Sequence, residues 1–233
     1  MKIMIKLIVF DLDNTLAKVG KGIEQIDIEL LKEIEQKGVK IAICSGKPVN
    51  YLCGFMRQVE LDNPIFLGEN GASIQFGVDL PPRKYAKLPY SERAKGSILY
   101  IRNKIDEKIA DIWYQPNEVG LTPFPKSDEE FEEIEMLLEE HKERLQDVEI
   151  YRHVDSFDIV PKGIDKSRGM EFLCNLLQIS REEVIAVGDG VNDYPMFAFA
   201  GKAIGVNVKE QEKVDQNFTT ATEVLSYILS EIL

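Results

Sequence analysis

Ile5-Lys6-Leu7-Ile8-Val9-Phe10-Asp11-Leu12-Asp13-Asn14-Thr15 is an apolar run that ends abruptly in two carboxylates. Its apolar part shows no period-two polarity, which is the pattern of a central parallel strand covered on both faces. Ligands of such sheets bind at the carboxyl ends of the strands, where Asp11 and Asp13 fall. Alternation along an extended chain sends both to the same side.

The pattern repeats outward from that strand. Apolar residues at helical spacing over Ile23–Lys37 stop at Gly38, a plausible helix-ending glycine. Val39–Cys44 reads as a second buried strand, Pro48–Val59 as a second helix and Pro64–Leu67 as a third strand. The rhythm resumes late in the chain, with a helix over Ser167–Leu177 and a buried strand over Val184–Val187. A short helix over Asp193–Ala200, a strand over Ala203–Val206 and a last helix over Thr222–Leu233, capped by Thr222, complete it. Alternating strands and helices of this kind predict a doubly wound α/β sheet.

Between the halves the character changes. Residues 78–157 are richer in proline and hold the only tryptophan, Trp113. Ser127–Glu130 reads as a capping box ahead of a strongly acidic helix, flanked by strand-like segments at Trp113–Leu121 and Val148–His153. An inserted α+β domain over 78–157 is therefore expected, with 1–77 and 158–233 forming one core domain.

Composition narrows the function. A chain of 233 residues with a formal net charge of −12 disfavours nucleic acid and anionic membrane surfaces, which require clustered Lys and Arg. Three scattered cysteines, Cys44, Cys53 and Cys174, indicate neither a disulfide framework nor a zinc site. The N-terminal run lacks a secretory cleavage pattern and no stretch approaches a membrane span, so a cytoplasmic protein, monomer or homodimer, is expected.

A second carboxylate cluster, Gly188-Asp189-Gly190-Val191-Asn192-Asp193, follows the late strand. Either cluster alone could be a turn or a helix cap. Together, each directly after an apolar strand, they imply four converging aspartates that would repel one another without a cation. Oxygen ligands and no histidine point to Mg²⁺.

D-x-D-x-T after the first strand and G-D-G-x-N-D after a late one resemble the haloacid dehalogenase superfamily. Ser45-Gly46 after the second strand, and Lys166 at the start of a helix, are similar to that superfamily's other two motifs. The insertion and Asn70-Gly71-Ala72 resemble its Cof-like branch with a type 2 cap. Asn14 stands where glycine is usual, and Ser45-Gly46-Lys47 replaces the commoner Thr-Gly-Arg.

The resemblance implies a mainly parallel, Rossmann-like core sheet with a smaller inserted cap, and Mg²⁺-dependent hydrolysis of a small phosphorylated metabolite. Asp11 is then the nucleophile that carries an aspartyl-phosphate, and Asp13 the acid and base. Asp11, the carbonyl of Asp13 and Asp189 would hold the metal. Ser45, Gly46, Lys166 and Asn192 would meet the phosphate, and Asp193 would order the metal's water or fix Lys166. A sugar phosphomutase is the nearest rival enzyme. A phospho-accepting regulatory module is the rival of another class, though it needs neither D-x-D nor a cap. His141, in the acidic helix, is expected to be a surface residue, and His153 a satisfied structural histidine rather than a substrate contact.

Overall fold

The computed structural model describes residues 4–233; Met1–Ile3, at the head of the run read as the first strand, lie outside the described residues. In chain order the elements are β1 (Leu7–Phe10), α1 (Gln25–Gln36), β2 (Lys40–Cys44), α2 (Val49–Met56), β3 (Ile65–Gly68), β4 (Ser73–Phe76) and β5 (Lys84–Lys87). There follow α3 (Glu92–Lys108), β6 (Trp113–Tyr114), β7 (Pro123–Phe124), α4 (Asp128–Glu140), β8 (Val148–Arg152) and β9 (Phe157–Pro161). The last are α5 (Lys166–Leu177), β10 (Val184–Gly188), α6 (Tyr194–Phe199), β11 (Lys202–Val206), β12 (Gln216–Phe218) and α7 (Ala221–Tyr227).

Eight strands form one sheet in the order β12-β11-β10-β1-β2-β3-β4-β5. The six from β12 to β3 run parallel; β4 and β5 close one edge antiparallel. All four residues of β1 are inaccessible to solvent, as their unbroken apolar character predicts. On one face Ile8, Phe10, Ile41, Ile43, Ile185 and Val187 join Leu31 and Ile34 of α1, Leu52 of α2 and Leu225 of α7 in a single apolar cluster. The alternate residues Leu7, Val9, Ala42 and Ala186 are equally buried, and α5 and α6 pack against each other and against β3 and β10. Helices therefore cover both faces of a doubly wound, mainly parallel sheet. From β1 the chain winds outward through β2 and β3, and from β10 it winds the other way. The switch point lies between β1 and β10, where such sheets bind ligands.

The chain divides into two compact units: one runs to Lys87 and resumes at Asp165, and the other spans Leu88–Ile164. Both divisions fall several residues later than the expected 78 and 157. Residues 84–87 belong to the first unit because β5 pairs with β4, and 157–161 to the second because β9 pairs with β8. In the second unit, Ile101 and Ile105 of α3, Ile134 and Leu137 of α4, and Phe157 and Ile159 of β9 form a separate apolar core.

Several local expectations are corrected. The strand expected over Trp113–Leu121 is two residues long, because Gln115 and Asn117 bond to one another and on to Thr122. The last helix is capped by Thr220, not Thr222. Glu223 reaches back to the Thr220 amide, while the Thr222 hydroxyl donates to the buried Asp27 carboxylate at 2.6 Å. Gly38 does end α1 with a positive φ of 82°. Among the described residues no helix is long and apolar enough to cross a membrane.

Candidate active site

Asp11 extends β1 by one residue: its amide donates to the Val187 carbonyl of β10 at 2.8 Å, which holds the buried side chain at the switch point. After it the chain leaves the extended form. Asn14 has a φ of 62°, so an asparagine at the position where glycine is usual keeps the left-handed turn, which its short polar side chain tolerates. The turn buries Thr15, whose hydroxyl donates to Asp189 Oδ1 at 3.2 Å. Sequence reasoning gave this threonine no task, although it stands in the quoted motif.

Asp193 comes from the loop after β10 and is fully buried. Its Oδ2 accepts the amides of Asp189 at 2.9 Å and Gly190 at 3.1 Å, folding the loop back on itself. Gly188 makes this possible: a Cβ there would lie 2.4 Å from Asp193 Oδ2. Nothing in the sequence beyond the glycine itself signalled that contact.

Lys166 opens α5, whose first turn is capped by Asp165 accepting from the Arg168 amide at 2.9 Å. Its side chain is 1% exposed, and its ammonium donates to Asp11 Oδ1 at 2.6 Å and to Asp193 Oδ1 at 2.5 Å. Ser45 follows β2 and is buried; its hydroxyl accepts the Lys47 amide at 3.3 Å, which turns the 45–47 loop. Gly46 is half-buried in that loop.

The structure thus brings Asp11, Asp189, Asp193 and Lys166 together, with one carboxylate oxygen from each aspartate within 4.8 Å of the others. Four converging aspartates were expected, and three converge. The Asp13 carboxylate is not part of that group and instead faces Lys47, 3.6 Å away. Asn192 is exposed on the 190–193 loop, while its neighbour Asp193 points inward.

Electrostatics describe the charge balance of the cluster. Burial pushes the Asp11 carboxyl up to about 7 against the pull of Lys166, with repulsion from Asp193 adding to the rise. Burial and Asp193 push Asp189 up to about 6. Burial opposes the charge on Lys166, but Asp11 and Asp193 outweigh it and hold the proton on the lysine. Three carboxylates facing a single ammonium leave an excess of negative charge in a site of low dielectric. A hard divalent cation relieves such an excess, and a group made only of carboxylate oxygens fits Mg²⁺ rather than zinc or copper. Burial pushes the Cys44 thiol up to about 12, which favours its protonated form.

In the inserted unit His153 pairs with Asp158 at 3.1 Å, and His141 meets Tyr100 both edge-on and through Nδ1. Both contacts tie that unit's own elements to one another.

Comparison with known proteins assigns the family. The profile described as haloacid dehalogenase-like hydrolase matches residues 8–81 and 92–220. A phosphoglycolate phosphatase of Thermoplasma volcanium is 26% identical over 219 residues, covering 94% of this chain and 92% of that one. A 5-amino-6-(5-phospho-D-ribitylamino)uracil phosphatase of Bacillus subtilis is 26% identical, covering 93% and 92%. A haloacid dehalogenase-like hydrolase from Bacteroides thetaiotaomicron shares the fold, with a TM-score of 0.79 at 22% identity over 96% of this chain and 99% of that one. With the family profile spanning most of its length, this chain belongs to the haloacid dehalogenase-like hydrolases.

Proposed function

We propose that this hydrolase is a Mg²⁺-dependent phosphatase that frees phosphate from a small metabolite ester through an aspartyl-phosphate on Asp11. One observation carries the reading: a buried Asp11 at the switch point, held by Lys166 and set among the carboxylates of Asp189 and Asp193. The phosphatases similar to this chain support it.

Asp11, Asp189 and the backbone carbonyl of Asp13 would hold Mg²⁺, while Asp193 fixes Lys166. The cation supplies positive charge that offsets repulsion between a carboxylate and a phosphate dianion. Lys166, the Ser45 hydroxyl and the Gly46 amide orient the phosphate oxygens, and Asn192 approaches from its loop. Asp11 attacks phosphorus as the bond to the ester oxygen breaks. Asp13 gives its proton to the departing alkoxide, then takes one from the water that attacks the aspartyl-phosphate. Phosphate leaves and Asp11 is regenerated. Asp13 is partly exposed, which leaves it open to water. The inserted unit acts as a cap that selects the ester.

Purified protein, with Mg²⁺ and with chelator, should be tested against a metabolite phosphate panel headed by phosphoglycolate and sugar phosphates. Turnover that requires Mg²⁺ is expected, and Asp11→Asn should lower it on the order of 10³-fold or more while the protein still folds. Near-parent turnover by Asp11→Asn, or none by the parent on any ester, would overturn the reading.

A further inference from the structure

The loop that joins β3 to β4 holds three consecutive residues in the left-handed region: Glu69 at φ 53°, Asn70 at 55° and Gly71 at 92°. Two of the three carry side chains, for which that conformation is costly, so neighbouring structure must impose it. On one side, the Glu69 amide donates to the Lys47 carbonyl and the Asn70 amide to the Ser45 carbonyl, each at 2.9 Å. Gly68 lies against the same stretch, and a Cβ there would meet the Val49 amide nitrogen at 2.5 Å. On the other side, Gly71 abuts the first turn of α5. A Cβ on Gly71 would fall 2.8 Å from the Gly169 Cα, and one on Gly169 would fall 2.5 Å from the Gly71 Cα.

The loop is therefore wedged, backbone to backbone, between the segment that carries Ser45 and the helix turn that carries Lys166. We infer that residues 68–72 set the spacing between the Ser45 hydroxyl and the Lys166 ammonium, which makes Asn70, Gly71 and Gly169 positioning residues of the phosphate site. This rests on the reading that Ser45 and Lys166 grip one phosphate. Two donors that must meet oxygens of a single phosphoryl group tolerate little relative displacement, and the hydrogen bonds of two flexible loops would not supply that stiffness. Backbone packing through paired glycines does.

Four variants test it through hydrolysis of an aryl phosphate and inhibition by orthovanadate, each measured where the variant is folded. Gly169→Ala separates α5 from the loop, and Asn70→Val opposes the left-handed conformation. Both should lower kcat on the order of 10²-fold, the scale of a small misplacement of reacting groups, and weaken vanadate inhibition in parallel. Asn70→Gly keeps the conformation without the side chain and should lose far less than Asn70→Val. Gly54→Ala in α2, where an added Cβ meets nothing within 4 Å, controls for the exchange itself.

Folded Gly169→Ala and Asn70→Val enzymes with parent kcat and parent vanadate inhibition would overturn the inference. So would an Asn70→Gly enzyme as impaired as Asn70→Val, since the side chain would then be what matters. If Gly169→Ala fails to fold, the Asn70 pair decides. If Ser45→Ala and Lys166→Ala themselves retain parent activity, the functional reading fails and this inference falls with it; if they fail as expected, the loop variants judge the inference alone.

Discussion

Two ion pairs in this molecule have the same length and opposite surroundings. In the first unit Lys166 donates to Asp11 at 2.6 Å with both side chains buried. In the inserted unit Arg152 donates to Glu135 at 2.6 Å, with 61% and 44% of the two side chains exposed. Distance does not rank them; water does. The exposed pair exchanges solvent contacts for one another and gains little. The buried pair has lost its hydration, and the cluster around it holds more carboxylate than ammonium, so the single ammonium is what keeps the carboxylates tolerable. The inserted unit distributes its charge over its surface, as in Lys104 with Glu107 and Lys142 with Glu139. The first unit has exposed pairs of the same kind, as in Lys32 with Glu60, but it also concentrates charge at a strand end, where that charge costs stability and provides chemistry.

The comparison breaks first at the lysine. Lys166→Ala should cost about 3–5 kcal/mol in metal-free denaturant unfolding, because it leaves Asp11 and Asp193 buried without their cation. Added Mg²⁺ should return part of that loss, since a divalent cation replaces the missing charge. An unchanged midpoint, or no response to Mg²⁺, would mean the cluster is not the strained group that its burial implies. The variant's turnover should stay low even in saturating Mg²⁺, for the phosphate has lost a donor.

A smaller loss should come from a change that touches no charge. Gly188→Ala places a methyl group inside the volume of the Asp193 carboxylate. Displacing that carboxylate should cost about 1–3 kcal/mol, the usual scale of overpacking. Turnover should fall with it, because Asp193 is one of the two acceptors that hold Lys166. Parent stability together with parent turnover would show that the loop yields cheaply.

The smallest effect belongs to the inserted unit. Arg152→Ala breaks a pair as short as the buried one and should shift unfolding by about 0.2–1 kcal/mol, part of it from lost packing on Phe131. Turnover of an aryl phosphate should not change measurably. A loss comparable to that of Lys166→Ala would erase the distinction between the regions.

Legibility followed how far each segment's form is set by its own local pattern. β1, β2 and β10 could be read directly, because a strand buried on both faces must be apolar throughout. Helix α3 was not recognised. Its buried stripe of Ala94, Ser97, Ile101 and Ile105 is thin, and Gly96 interrupts its second turn. Strand β4 carries buried Ser73 and Gln75 and owes its form to antiparallel pairing on both sides, which no local pattern announces. At the candidate site the residue types were legible, since aspartates after apolar strands are chemically conspicuous. Their grouping was not: Asp13 was expected beside Asp11, and its carboxylate faces Lys47, which comes from the loop after β2.

The sequence by itself determined a two-sided parallel sheet, a break in it that admits a second unit, and acidic motifs at strand ends, because each follows from local periodicity or from residue chemistry at a known offset. Only the tertiary structure decided that Lys166 is shared by Asp11 and Asp193, that Thr15 donates to Asp189, and that Gly188 and Gly71 are glycines for want of space. Those facts depend on segments up to 174 residues apart being brought together by the sheet, in which β1 and β10 pair side by side in parallel. Period and composition carry no record of such meetings, for they arise only when the sheet has closed and solvent has left.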